Sequence, residues 1–101
     1  MEFEWHEEKR ETNIVKHGVD FTDAIQVFRE PHLTEDRTRP EDEGTRKGMI
    51  GPLPSEAVPD HWSGNLIVVV YTQREGSIRV ISARRADTDE RRRYESHVGG
   101  R

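Results

Sequence analysis

The chain has 101 residues, 31% hydrophobic and 36% charged; this leaves room for one domain with a small core and excludes a second core. Its formal net charge is −4, divided as −7 over residues 1–73 (8 Lys/Arg, 15 Asp/Glu) and +3 over residues 74–101 (8 against 5). The absence of cysteine excludes a disulfide framework and thiolate chemistry, and the six-residue apolar run Leu66–Tyr71 is far short of the roughly 20 residues a membrane span needs. With Met1–Trp5 lacking the basic start and apolar stretch of a secretory leader, the expectation is a cytoplasmic protein.

Phe3 and Trp5 alternate with Glu2 and Glu4, the period-two pattern of a short strand. Residues 6–17 are good helix formers and end at Gly18, a residue suited to a left-handed cap. This helix has little apolar content beyond Ile14 and Val15, so a surface position is expected. A second helix follows: Asp20 and Asp23 stand three apart at its start, Phe21, Ala24, Ile25 and Phe28 repeat at i, i+3, i+4, i+7, and Pro31 stops it. Residues 32–45, with Leu33 as the lone aliphatic side chain, read as a loop or mobile segment. Residues 46–51 form a candidate short strand, and three prolines mark 52–65 as a long connection. The run 66–71 is too short for a typical helix and rich in β-branched residues, so it reads as a central strand buried on both faces. A turn at 73–77 returns the chain along 78–83 as a hairpin partner. Asp87 and Glu90 give a capping-box start to a last helix. The expected order is β-α-α-β-β-β-α: one α+β domain over residues 1–98, with 99–101 as a frayed tail.

Several of these stretches, in order, resemble one family. Phe3-Glu4-Trp5-His6-Glu7-Glu8-Lys9 is similar to its F-x-W-D-x-x-K opening. Asn13-x-x-Lys16-His17-Gly18-Val19-x-Phe21 and Ala24-x-x-Val27-Phe28 come next, then Ile81-Ser82-Ala83-Arg84-Arg85-Ala86 leading into Glu90-Arg91-Arg92-x-Tyr94-Glu95. The set resembles the BrnT toxins of type II toxin–antitoxin operons. The chain departs from the pattern at His6, where the family opens with Asp, at Asp87, where a Thr is usual, and in the longer segment 52–65. The resemblance implies a small RelE-like fold with two N-terminal helices, an antiparallel sheet and a C-terminal helix. It also implies a growth-arresting endoribonuclease neutralised by a BrnA-like ribbon-helix-helix antitoxin. RNA is then the substrate, operator DNA is met only through the antitoxin, and a homodimer within the complex has room to form.

RNA cleavage without a metal needs a base for the 2′-hydroxyl, cations for the charge on the phosphorane, and an acid for the leaving oxygen. RelE-like proteins do this with arginine, lysine and tyrosine. Arg84 and Arg79 are accordingly the first candidates for phosphate contacts, since a guanidinium fork grips two oxygens at once. Their bland alternative is a solvent-facing strand arginine. Arg85 competes with Arg84 and points the other way if the strand continues. Tyr94 is a candidate acid or stacking ring, or else a ring packed on the core with its hydroxyl wet. Lys16 and His17 suit a helix C-terminus on electrostatic grounds alone, yet His17 is a candidate catalyst and Lys16 a substrate contact. Arg91, Arg92 and Arg93 point around a helix, so only one or two, with Arg91 and Arg92 preferred, can meet RNA. The five histidines lack ligand spacing such as H-x-x-x-H, so neither metal nor cofactor is expected. Trp5 reads as a plug at the core edge, Tyr71 as core, and Trp62 as an exposed ring suited to an interface.

Two other function classes stay open. One is a non-catalytic module that holds a DNA-binding antitoxin on its operator, favoured by the negative net charge, because RNA affinity grows with the phosphates that Lys and Arg neutralise. The other is a small regulatory domain sharing only the fold.

Overall fold

The structure, a computed structural model, describes residues 2–99; the last two residues of the expected tail lie outside them, while Gly99 closes the last helix by donating its N–H to Glu95 O at 2.8 Å. Five strands, β1 (Glu2–Glu4), β2 (Leu33–Asp36), β3 (Lys47–Pro52), β4 (Leu66–Arg74) and β5 (Ser77–Arg85), form one sheet in the order β1-β5-β4-β3-β2. Helices α1 (Glu7–His17) and α2 (Phe21–Ala24) follow β1, and α3 (Thr88–Val98) follows β5. The α+β expectation holds in outline, with two corrections to the sheet. It is mixed, because β1 runs parallel to β5, pairing Phe3 with Ile78, while the other three pairings are antiparallel. It also contains β2 inside the segment read as a loop: Leu33 pairs with Ile50 and Asp36 with Lys47. An edge strand needs pairing on one side and little apolar surface, so Leu33 suffices where composition had signalled a loop. The residues beyond it are ordered by their own bonds, from Arg37 N–H to Arg46 O at 2.8 Å and from Arg46 N–H to Thr38 Oγ1 at 2.9 Å.

α1 begins with Glu7 and Glu8, ends with Lys16 and His17, and is closed by Gly18 at φ 73°, whose N–H reaches Ile14 O at 2.8 Å. Acid at the first turn and base at the last complement the helix dipole. Ile14 and Val15 are exposed, so α1 is not seated by an apolar stripe. Asn13 seats it instead: buried, it donates to Val19 O at 2.9 Å and Ala83 O at 2.7 Å and accepts from Ala83 N–H at 3.1 Å. The second expected helix is one α-turn, capped by Asp20 on Thr22 N–H at 2.9 Å, that tightens into a 3₁₀ stretch over Ile25–Arg29. Glu30 is extended, as the residue before a proline must be.

β4 is buried on both faces, as its unbroken apolar run implies. Ile67, Val69 and Tyr71 join Phe21, Val27, Leu53 and Val80 in the main core, and Val68 packs with Ile50 and Ala86 beneath Leu33 and Tyr94 on the other side. Edge-to-face aromatic contacts run from Phe3 to Phe28 at 5.1 Å and on to Tyr71 at 5.0 Å, while Trp5 meets Phe21 at 5.9 Å. The proline-rich segment 52–65 closes the core: Leu53 is buried, and Ala57, Val58 and Trp62 pack against it. Trp62 is therefore half-buried rather than exposed, with the Arg85 guanidinium 5.6 Å from its ring centre.

Candidate functional site

Strict alternation along β5 would set Arg79 and Arg84 on opposite faces of the sheet. The pairing breaks that pattern: Tyr71 pairs with Val80 and Val70 with Ser82, so Ile81 is an extra residue in a bulge. The bulge resets the alternation and brings Arg79, Ser82 and Arg84 to one face, opposite Thr72, Val70 and Val68. Arg85 falls on the other face, against Trp62 and within 3.2 Å of Ser63 O.

α3 covers one end of the shared face. Asp87 accepts from Glu90 N–H and Glu90 accepts from Asp87 N–H, both at 2.8 Å, completing the capping box. The same Glu90 carboxylate is buried and receives both arms of Arg84, at 2.9 and 2.8 Å, and Arg37 Nη2 at 2.9 Å. Burial alone would raise the Glu90 carboxyl, but Arg84, the Asp87 N–H and Arg37 together hold it down to about 2. Arg37 reaches this carboxylate by lying across Gly48, where a Cβ would come within 2.7 Å of its Cγ. Glu35 accepts from Arg37 at 2.8 Å and from Arg93 at 2.7 Å, and Arg93 is the chief cause of its lowered pKa. Tyr94 donates its hydroxyl to Pro31 O at 2.9 Å, and burial pushes its phenol up, away from easy proton release.

The other end of the face is open. Ile81 floors a cleft of about 290 Å³ bordered by His6, Lys9, Arg46, Arg74 and Arg79. It continues on one side into a groove of about 450 Å³ along Lys9, Lys16 and His17, and on the other into one of about 460 Å³ along Arg37, Arg39 and Arg46. Lys9, Lys16 and Arg74 have no carboxylate partner among the described residues. Arg79 meets Glu4 only at 3.5 Å and points Nη1 at His6 Nε2, 3.2 Å away. Arg46 and Arg39 are paired with Asp42 at 3.3 and 3.0 Å and Arg37 with Glu90, so the uncompensated charge of the strip lies at Lys9, Lys16 and Arg74, a local field that draws an anion on a chain of net negative charge.

The expected residues are thus divided. Arg79, Lys16 and His17 border the open groove. Arg84 was expected at a phosphate, but both arms of its fork are held by Glu90; Arg85 lies on the opposite face; Tyr94 ties α3 to the chain before β2. Arg91 stays on α3 near Thr88, and Arg92 is largely exposed beside Asp89. No three His, Asp or Glu among the described residues form a metal-holding group.

Residues 5–90 match the family described as the ribonuclease toxin BrnT of type II toxin–antitoxin systems. The chain belongs to the BrnT family. Among solved structures, it is similar to the crystal structure of the Brucella abortus ribonuclease toxin BrnT, with 29% identity and a TM-score of 0.59 over 87% of this chain and 99% of that one. No curated protein matches it. Of the stretches cited above, α1 and β5 border the strip of basic residues, and α3 closes the neighbouring end of the same sheet face.

The sequence reading passed over His6, Lys9, Arg46 and Glu90. Lys9, Asn13 and Lys16 stand at i, i+4, i+7, a helical face that could have been found. His6 was set aside because it lacked metal spacing, although proton transfer needs no such spacing. Glu90 was legible only as the return of a capping box, and Arg46 only as the start of a strand; tertiary pairing brings both to this face.

Proposed function

We propose that the protein is a metal-independent endoribonuclease that arrests growth by cleaving RNA bound along the open basic groove, and that a BrnA-like ribbon-helix-helix antitoxin neutralises it by covering that groove. The observation that carries this reading is the run of cations from Arg46 through Arg79 and Lys9 to Lys16, in a toxin family described as ribonucleases. In this reading Arg79 grips the scissile phosphate with its fork, Lys9, Lys16 and Arg46 hold the flanking backbone, and His17 borders the 450 Å³ arm of the groove. Arg84 and Tyr94 act as positioning residues: Arg84 fixes Glu90, which fixes Arg37 at the groove's edge, and Tyr94 fixes α3.

The test is expression of the chain alone and with the protein encoded by its upstream or downstream neighbour, together with RNA cleavage by the purified protein in a chelator. Growth arrest relieved by the neighbour, and cleavage that persists in the chelator, are the expected results. Cleavage that stops with the chelator and returns with a divalent ion would overturn metal independence. Neither arrest nor cleavage would leave the operator-bound module as the reading.

A further inference from the structure

His6 is the first residue before α1 and makes no capping bond with its side chain, so its ring is free to face the cleft. Nε2 stands 3.2 Å from Arg79 Nη1. A guanidinium can only donate, so this contact leaves the lone pair on Nε2 and the ring proton on Nδ1: the form of imidazole that accepts a proton. Two residues that line the same cleft, Arg79 and Thr72, also carry polar atoms below its surface, Nε and Oγ1. Both are buried without a partner among the described residues, and both can donate. The donors that Arg79 can offer a phosphate in the cleft are those of its terminal fork. The charged groups facing His6 are Glu4 on β1, Lys9 on α1, Glu43 and Arg46 before β3, Arg74 on β4 and Arg79 on β5.

We propose that His6 is the general base of the RNA cleavage proposed above, a role that rests on that reading. When a phosphate enters, Arg79 turns its fork to the oxygens and releases Nε2. The ring then takes the proton of the adjacent 2′-hydroxyl, the 2′-oxygen bonds to phosphorus, the bond from phosphorus to the 5′-oxygen breaks, and the leaving oxygen takes a proton from water. The products are a 2′,3′-cyclic phosphate and a 5′-hydroxyl. Arg79 thus holds both the base and the substrate, one before the other, which couples phosphate arrival to release of the lone pair.

The test compares wild type with His6→Asn and His6→Ala on a short oligoribonucleotide, with affinity measured on its all-2′-deoxy counterpart, which lacks the nucleophile. Asparagine is a better helix N-cap than histidine, so His6→Asn keeps or raises the melting temperature and a lost rate is not lost folding. The expected result is a fall of about 10²–10³ in cleavage rate, with affinity within about twofold. Added imidazole should restore part of the rate to His6→Ala. A His6→Asn protein that cleaves near the wild-type rate, or a His6→Ala protein that imidazole does not rescue, overturns the assignment while leaving the ribonuclease reading intact. A wild-type protein that cleaves no RNA overturns both.

Discussion

The two ends of one sheet face use the same residue types to different ends. Under α3, three arginines, Arg84, Arg37 and Arg93, close on two carboxylates, Glu90 and Glu35, at 2.7–2.9 Å. At the open end, Arg79 meets Glu4 at 3.5 Å and Arg46 meets Asp42 at 3.3 Å, while Lys9, Lys16 and Arg74 have no carboxylate partner among the described residues. A guanidinium matched to a buried carboxylate is structure, since its donors are occupied and its charge is cancelled. One left facing water over a bare strand keeps both for a ligand. The difference teaches that arginine count along β5 and α3 says little about function until the carboxylates are assigned.

The largest effect should come from breaking the saturated end. Glu90→Ala leaves Arg84 and Arg37 without their shared acceptor and removes the capping-box return to Asp87 N–H. A loss of about 3 kcal/mol is expected, seen as a fall of roughly 10–20 °C in melting temperature. Arg84→Ala should share part of that loss because Glu90 keeps Arg37, and Arg84→Lys should lie between, the fork being lost while the charge stays. If either arginine variant melted like wild type yet no longer arrested growth, Arg84 would belong to the chemistry and the contrast between the two ends would fail.

At the open end the expected effect is on rate. Arg79→Ala should lower RNA cleavage about 10²–10³-fold, with little change in melting, because its ion pair to Glu4 is long and partly exposed. A parallel fall in rate and melting temperature would mean that Arg79 is structural too.

Acid separates the ends without a mutation. The Glu90 carboxyl is held at about 2 when folded, against an ordinary value of 4.5. Its contribution is therefore fully present above about pH 4.5 and lost as pH falls through about 2. Glu35 and Asp20, both lowered by their arginines, act in the same sense; Asp23, raised by burial, acts in the opposite one. Stability measured by urea unfolding from pH 5 to 2 should fall more steeply for wild type than for Glu90→Gln, and equal slopes would show that Glu90 is not the anchor of that end.

The smallest effects concern the outer cations. Lys9→Ala and Lys16→Ala should each weaken RNA binding by a few fold and reduce its salt dependence by about one phosphate. Arg92→Ala, exposed beside Asp89, should change stability by no more than about 0.5 kcal/mol and leave arrest intact. A lost salt dependence in Arg92→Ala, with none in Lys9→Ala, would move the RNA path onto α3.

Much of this was legible in residue order. The 66–71 run could only be a strand buried twice, Gly18 marked the end of α1, and Asp87 with Glu90 marked the start of α3, because each is a local pattern that backbone geometry must obey. The family was legible too, from stretches on α1, β5 and α3. Which arginine serves what was not. Period two assigns Arg79 to the same face as Arg85 and away from Arg84; the bulge at Ile81 reverses this, and a bulge follows from how β4 and β5 meet rather than from either strand alone. Likewise β2 gains its strand from the edge of β3, β1 its parallel direction from lying beside β5 after a chain reversal, and Glu90 its depressed pKa from an arginine 53 residues away as well as one nearby. Local sequence determines which conformation each segment favours. Pairing between distant segments decides which face a side chain meets and which charge lies opposite, and at this face that decides whether a cation is held or free.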